Sequence, residues 1–178
     1  FRSPFIFLNG RFIGEEATHH LLFALNNSFF NNLIYFDSVA GYYNLIPNLL
    51  TEISTYVPLE FAPLITVYGS FLIILNLSTI CLFMDSYFLD NKIKKIVATF
   101  LLFATPPFVP EIWINSLNSQ IYLCLTVILI LFVRNIKNDR NFYLNFNIFI
   151  ASLSGIYSCV LTPFFLIRFL YAKTKYNL

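Results

Sequence analysis

Two adjacent carboxylates, Glu15 and Glu16, end the stretch Gly10-Arg11-Phe12-Ile13-Gly14-Glu15-Glu16 at the start of an expected interfacial helix. A carboxylate there is stabilised by the positive end of the helix dipole and can accept a proton from a hydroxyl as a general base. The same residues can also serve the helix alone, with Gly14 as the turn residue and the glutamates as caps. Because neighbouring carboxylates repel, one pKa tends to rise, but adjacency leaves open which of the two would be the base. His19 follows Glu15 by four residues and Glu16 by three, about one helical turn on. His19 and His20 can contact a phosphate or ligate a metal, or they can simply sit as polar residues at a membrane interface. Glu-Glu-x-x-His-His is not the HExxH zinc motif, so spacing assigns no metal ligands and a divalent cation stays open. Arg11 can pair with a lipid phosphate or with Glu15 four residues on.

The elements that must position these groups are apolar. Of the 178 residues, 58% are hydrophobic and 11% charged, against about 25% charged in a soluble domain. Water is therefore not the main solvent expected for this chain. A helix rises about 1.5 Å per residue, so several spans of roughly 20 residues fit within the length. The net charge of +2 is dispersed and forms no basic face, which argues against nucleic-acid binding. Cys81, Cys124 and Cys159 lie in apolar runs without CxxC spacing and read as small core residues. The opening Phe1-Arg2-Ser3-Pro4 has neither an initiator methionine nor a signal-peptide pattern. The expectation is a piece of a longer protein with a membrane helix ahead of it.

Residues 1–59 hold Arg2, Arg11, Glu15, Glu16, Asp37 and Glu52 and cannot form a lipid-facing span. Two interfacial helices are predicted there, over 17–36 and 45–57, with Gly41 and Pro47 bracketing the turn between them. Transmembrane helices are predicted at about 60–84, 95–109, 118–134, 145–159 and 162–173. The last two are either one long helix kinked at Gly155 and Thr162-Pro163 or a hairpin, and the hairpin is favoured. Nine of the eleven basic residues fall in three clusters, at 92–95, 134–140 and 168–175, and a hairpin places all three on the cytoplasmic side. The expected class is an all-α, polytopic transmembrane helical bundle with interfacial helices in an N-terminal outer loop.

Four segments carry a resemblance. The first is 10–16, quoted above. The second is Gly41-Tyr42-Tyr43-Asn44-Leu45-Ile46-Pro47, and the third comprises Glu111, Asn115, Asn118, Gln120 and Tyr122. The fourth is the Gly155 and Thr162-Pro163 turn before a leucine-rich return. In this order and at these separations they resemble the glycosyltransferase C superfamily, and within it bacterial membrane proteins related to the dolichyl-phosphate-mannose type mannosyltransferases. The similarity runs over nearly the whole chain, although Ile13 stands where that family usually has Trp.

The resemblance implies a catalytic acid residue in the first outer loop, a polyprenyl-phosphate-linked sugar as donor, and inverting transfer on the outer face of a bacterial inner membrane. Glu15 or Glu16 would then be the base. Arg11, His19, His20, Asn44, Glu111, Asn115, Asn118 and Gln120 would contact substrate, and some members of the family use a divalent cation. The amides of Asn115, Asn118 and Gln120 can bind sugar hydroxyls or cap the following helix. Trp113, the only tryptophan, reads as an interfacial anchor. Two other classes remain open. A transporter or respiratory subunit would carry ionisable residues at mid-membrane, which the spans nearly lack. A non-catalytic scaffold would use the outer loop to hold a partner.

Overall fold

The computed structural model describes residues 4–104, 114–134 and 138–176. The protein is mostly helical. A short 3₁₀ turn, Pro4–Phe7, leads to a π-helical turn, Glu16–Leu21, which continues directly into α1 (Leu22–Asn26). Then come α2 (Phe29–Leu33), a two-stranded antiparallel hairpin of β1 (Phe36–Asp37) and β2 (Tyr42–Tyr43), and α3 (Leu45–Ser54). The remaining helices are α4 (Ala62–Phe83), α5 (Lys92–Ala104), α6 (Ser119–Leu131), α7 (Asn138–Ser152) and α8 (Thr162–Tyr176).

Where a single helix is expected over 17–36, the chain breaks after α1. The side chains of Asn26 and Asn27 turn back to donate to the carbonyls of Leu22 (2.7 Å) and Phe23 (2.9 Å), and Asn27 itself is extended. Asparagine competes in this way with the next turn of backbone bonds. The β1–β2 hairpin is built by Asp37, whose Oδ1 accepts the N–H groups of Val39 (2.9 Å) and Ala40 (3.1 Å). Gly41 then takes φ +75, a conformation that costs glycine little.

Among the described residues, α4 is the one helix both long and apolar enough to cross a membrane. Its 22 residues give a length of about 33 Å, close to the hydrocarbon thickness of a bilayer. Pro63 lies in its first turn, where a missing N–H breaks no helical bond. The buried hydroxyls on its inner face satisfy themselves: Ser70 donates to Thr66 O (2.7 Å) and Ser78 to Ile74 O (2.8 Å). Small polar residues can therefore pack in an apolar setting.

The helices alternate in direction. α4 and α6 both start beside the polar N-terminal segment. They end together, where Tyr87 N–H donates to Phe132 O (3.1 Å) and Arg134 N–H to Asp85 O (2.9 Å). α7 climbs back, pairing Leu144 with the lower cluster of Ile80, Ile130 and Val133 and Ala151 with the upper one of Ile46, Leu123 and Val127. Midway, Asn76 of α4 donates to Asn147 Oδ1 and accepts from the Tyr143 hydroxyl, both at 2.5 Å. The chain then leaves the helix at Leu153 and turns through Gly155 at φ +88. It descends again as α8, whose Arg168 side chain donates to the carbonyls of Ile130, Leu131 and Val133. Residues 145–173 are thus two antiparallel helices and not one kinked helix. The outward sides of these helices stay apolar and uncovered: Leu72, Ile93, Phe100, Phe142, Ile167 and Phe169 are each more than half exposed.

Candidate functional site

The two glutamates have opposite fates. Gly14 takes φ +57, and from this turn Glu15 faces out while Glu16 faces in. Glu16 is only 1% exposed. Its Oε2 accepts the Ile13 N–H (2.9 Å), the backward reach of a capping glutamate. Its Oε1 accepts both the N–H (2.7 Å) and the hydroxyl (2.5 Å) of Ser116, one hundred residues away. Burial holds the Glu16 carboxyl above its usual pKa, and the bonds from Ser116 and Ile13 offset part of that rise. The Glu15 carboxylate is exposed and accepts no hydrogen bond from the described residues.

The two histidines also part. His19 is half-buried and its Nδ1 lies 2.9 Å from Asp37 Oδ2. His20 is buried, with Nδ1 2.8 Å from Asn48 Oδ1. The Asn48 amide is oriented by its own Nδ2, which donates to the carbonyls of Tyr35 (2.8 Å) and Leu33 (3.4 Å). His20 is therefore the donor in that pair. Asn32 extends the network by donating to Asn48 O (2.9 Å) and Glu52 Oε2 (3.0 Å), and the Tyr56 hydroxyl donates to Glu52 Oε1 (3.0 Å).

These surroundings push the imidazoles apart. The bond to Asp37 raises the His19 pKa above 6.5, whereas burial lowers that of His20 below it. Asp37 is lowered: burial works against ionisation, but the His19 bond and two backbone N–H groups outweigh it. The His19 contribution to stability is therefore complete below pH 6.5 and is lost as the pH rises through its folded pKa. The His20 contribution is present above 6.5 and is lost as the pH falls through its folded pKa. With only two histidines in the chain, NMR of the imidazole protons in chelator-treated protein should show two titrations, on either side of 6.5. Coincident curves would contradict both environments.

The other expected contacts gather at the same end of the bundle. Asn115 is buried and its Oδ1 accepts the N–H groups of Leu117 (2.7 Å) and Asn118 (3.4 Å), so it shapes the turn into α6. Asn118, at the N-cap of α6, is half-buried. Asn44 donates to Leu117 O (3.3 Å) and Gln120 donates to the Tyr42 hydroxyl (3.1 Å). Both amides are buried, and their oxygens, Asn44 Oδ1 and Gln120 Oε1, have no donor among the described residues. Gly155 N–H donates to Tyr43 O (3.2 Å). At φ +88 this position favours glycine, and a Cβ there would also push the Gln120 amide out of its place. Arg11 is exposed, and no ion pair among the described residues joins it to Glu15. Glu111 and Trp113 lie outside the described residues.

Asp37, Asn48 and Ser116 belong to this constellation and were not singled out by motif. The Asp37-Ser38-Val39-Ala40-Gly41 string is a turn signal that locates Asp37. Nothing local marks Ser116 or Asn48. Glu15, His19 and Asp37 lie together, one ligand atom from each within 4.8 Å of the others. Beside them His19, Thr18, Tyr35 and Asn27 line an open groove of about 320 Å³.

Fold and site define a mostly helical protein with, among the described residues, one helix long and apolar enough to cross a membrane and a polar cap, rich in Asn, His and carboxylates, at one end of its bundle. No family model, no curated protein and no solved structure matches the chain.

Proposed function

We propose that the chain belongs to a polytopic membrane enzyme that transfers a sugar from a polyprenyl-phosphate donor to an acceptor on the outer face of a bacterial inner membrane. The observation that carries this reading is convergence. Segments 10–16, 41–47, 115–120 and 155 are far apart in sequence but are cross-linked at one end of the bundle by the Glu16–Ser116, Asn44–Leu117, Gln120–Tyr42 and Gly155–Tyr43 bonds. At that end Glu15 has the freedom a base needs. Glu15 is exposed and unbonded, whereas Glu16 is enclosed by three donors and cannot approach an acceptor hydroxyl.

The opposite end favours the cytoplasmic side. It carries Lys94 paired with Asp90 (2.8 Å), Lys95 paired with Asp85 (2.5 Å), and Arg134 over the Tyr87 ring at 4.8 Å, the basic bias of short inner loops. The apolar outer surfaces of α5 and α8 suit lipid. In this reading the five long helices all cross, and the shorter ones do so in a locally thinned bilayer.

The test is transfer from a radiolabelled polyprenyl-phosphate sugar by the full-length protein in liposomes. Glu15→Gln should lower turnover by about 100-fold or more, with donor binding retained. Transfer that is absent from the wild type, or unchanged in Glu15→Gln, would end the assignment.

A further inference from the structure

We infer that Glu15, His19 and Asp37 form a binding site for a borderline divalent transition-metal ion of the Zn²⁺ or Co²⁺ kind. Asp37 is the built part. It is 3% exposed, and two backbone N–H groups on Oδ1 fix its orientation, which directs Oδ2 at His19. No Lys or Arg pairs with it among the described residues, and His19 is the one ion-pair partner of this buried carboxylate. A carboxylate oxygen and an imidazole nitrogen, both common metal ligands, are therefore already held side by side.

The distances suit an ion. Ligand atoms about 2.0–2.2 Å from a zinc ion are roughly 3.3 Å apart in a tetrahedral shell. His19 Nδ1 and Asp37 Oδ2 are 2.9 Å apart, so a metal replacing their shared proton needs only a small opening of the pair. Glu15 completes the set from within 4.8 Å. Its exposed, unbonded side chain is free to swing the remaining distance. Three protein ligands leave a coordination position open, and His19 also lines the groove. One imidazole with two carboxylates favours transition metals over Mg²⁺ or Ca²⁺, which prefer oxygen alone.

One consequence rests on the sugar-transfer reading: a metal-bound Glu15 is a weaker base, so occupancy inhibits transfer. The site itself does not depend on that reading. Full-length protein in detergent, stripped with chelator and titrated with Co²⁺, should bind one ion with visible d–d bands that one equivalent of Zn²⁺ abolishes. His19→Ala and Asp37→Asn should each weaken Co²⁺ binding by about 100-fold and Glu15→Gln by about 10-fold, at or beyond the losses usual for supporting residues of metal sites. Lys94→Ala, at the far end of the bundle, should leave it unchanged. Asp37→Asn keeps the Oδ1 acceptor for the turn, and His19→Ala supplies a second variant should the turn fail. Absence of saturable Co²⁺ binding, or equal affinity in the wild type and His19→Ala, overturns the site. Co²⁺ binding without sugar transfer leaves the site standing and removes the transferase.

Discussion

Glu16→Ala should cost on the order of 4 kcal/mol of stability, the largest effect expected of any single substitution in the polar cap. The substitution strands three donors at once, the N–H of Ile13 and the N–H and hydroxyl of Ser116. A buried donor left without an acceptor costs about 1–3 kcal/mol. Relief of the carboxylate's own burial, which already raises its pKa, returns part of the sum. Glu16→Gln keeps the shape but sets an NH₂ group against N–H donors, so it should recover less than half of the loss. Ser116→Ala removes only the hydroxyl bond and should cost about 1 kcal/mol. Unfolding midpoints in detergent measure all three. The double variant Glu16→Ala/Ser116→Ala should be less destabilised than the sum of its parts, because both changes break the same contact. An unshifted midpoint in Glu16→Ala would mean that the 114–118 turn is held by something other than this carboxylate. The comparison also separates the two glutamates, since Glu15→Gln should leave the midpoint within about 0.5 kcal/mol of wild type, as for an exposed surface group.

Arg168→Leu is expected to destabilise the opposite end by about 3 kcal/mol. The guanidinium donates to the carbonyls of Ile130, Leu131 and Val133, two of them in the last turn of α6 and the third just beyond its end, so it caps a helix C-terminus from a different helix. Charged donors contribute about 1.5–3 kcal/mol, and a cation at the negative end of the helix dipole adds up to about 2 kcal/mol when partly buried. Leucine preserves the apolar stem but leaves the carbonyls of three buried residues without this donor. Arg168→Lys should restore less than half, because a single ammonium cannot present the guanidinium's planar fork to carbonyls on both sides. A melting curve of Arg168→Leu that overlays the wild type would show that α8 is docked by its apolar contacts alone.

How much of this was legible depends on how local each determinant is. The apolar run at 60–84 contains the helix Ala62–Phe83 because length, composition and an early proline act within one segment. The chain break after Ser152 is likewise local, through Gly155 with φ +88 and the Thr162-Pro163 start of α8. The β1–β2 hairpin is not legible in the sequence, although its turn residues are. A two-residue strand has too short an alternation to register against the surrounding helical pattern. The apolar spacing predicts one helix over 17–36 because it continues across Asn26 and Asn27, and only their side-chain bonds to Leu22 and Phe23 show which of two local options wins.

The opening carboxylate pair shows where sequence stops. Residue types alone established that the chain is helical and apolar, that its charges collect at segment ends, and that the 10–16 stretch carries two adjacent acids followed by two histidines. Chemistry at those positions follows from the side chains themselves, which is why motif and composition reach it. They could not tell Glu15 from Glu16, or His19 from His20. Neighbours in sequence share the same local environment, and what separates them is which way a left-handed turn at Gly14 and a π-helical turn direct their side chains. The partners that then decide each role stand 100 residues from Glu16, 18 from His19 and 28 from His20. Those distances are closed by tertiary packing, with α3 and α6 each set against α4, and no periodicity within a segment encodes them.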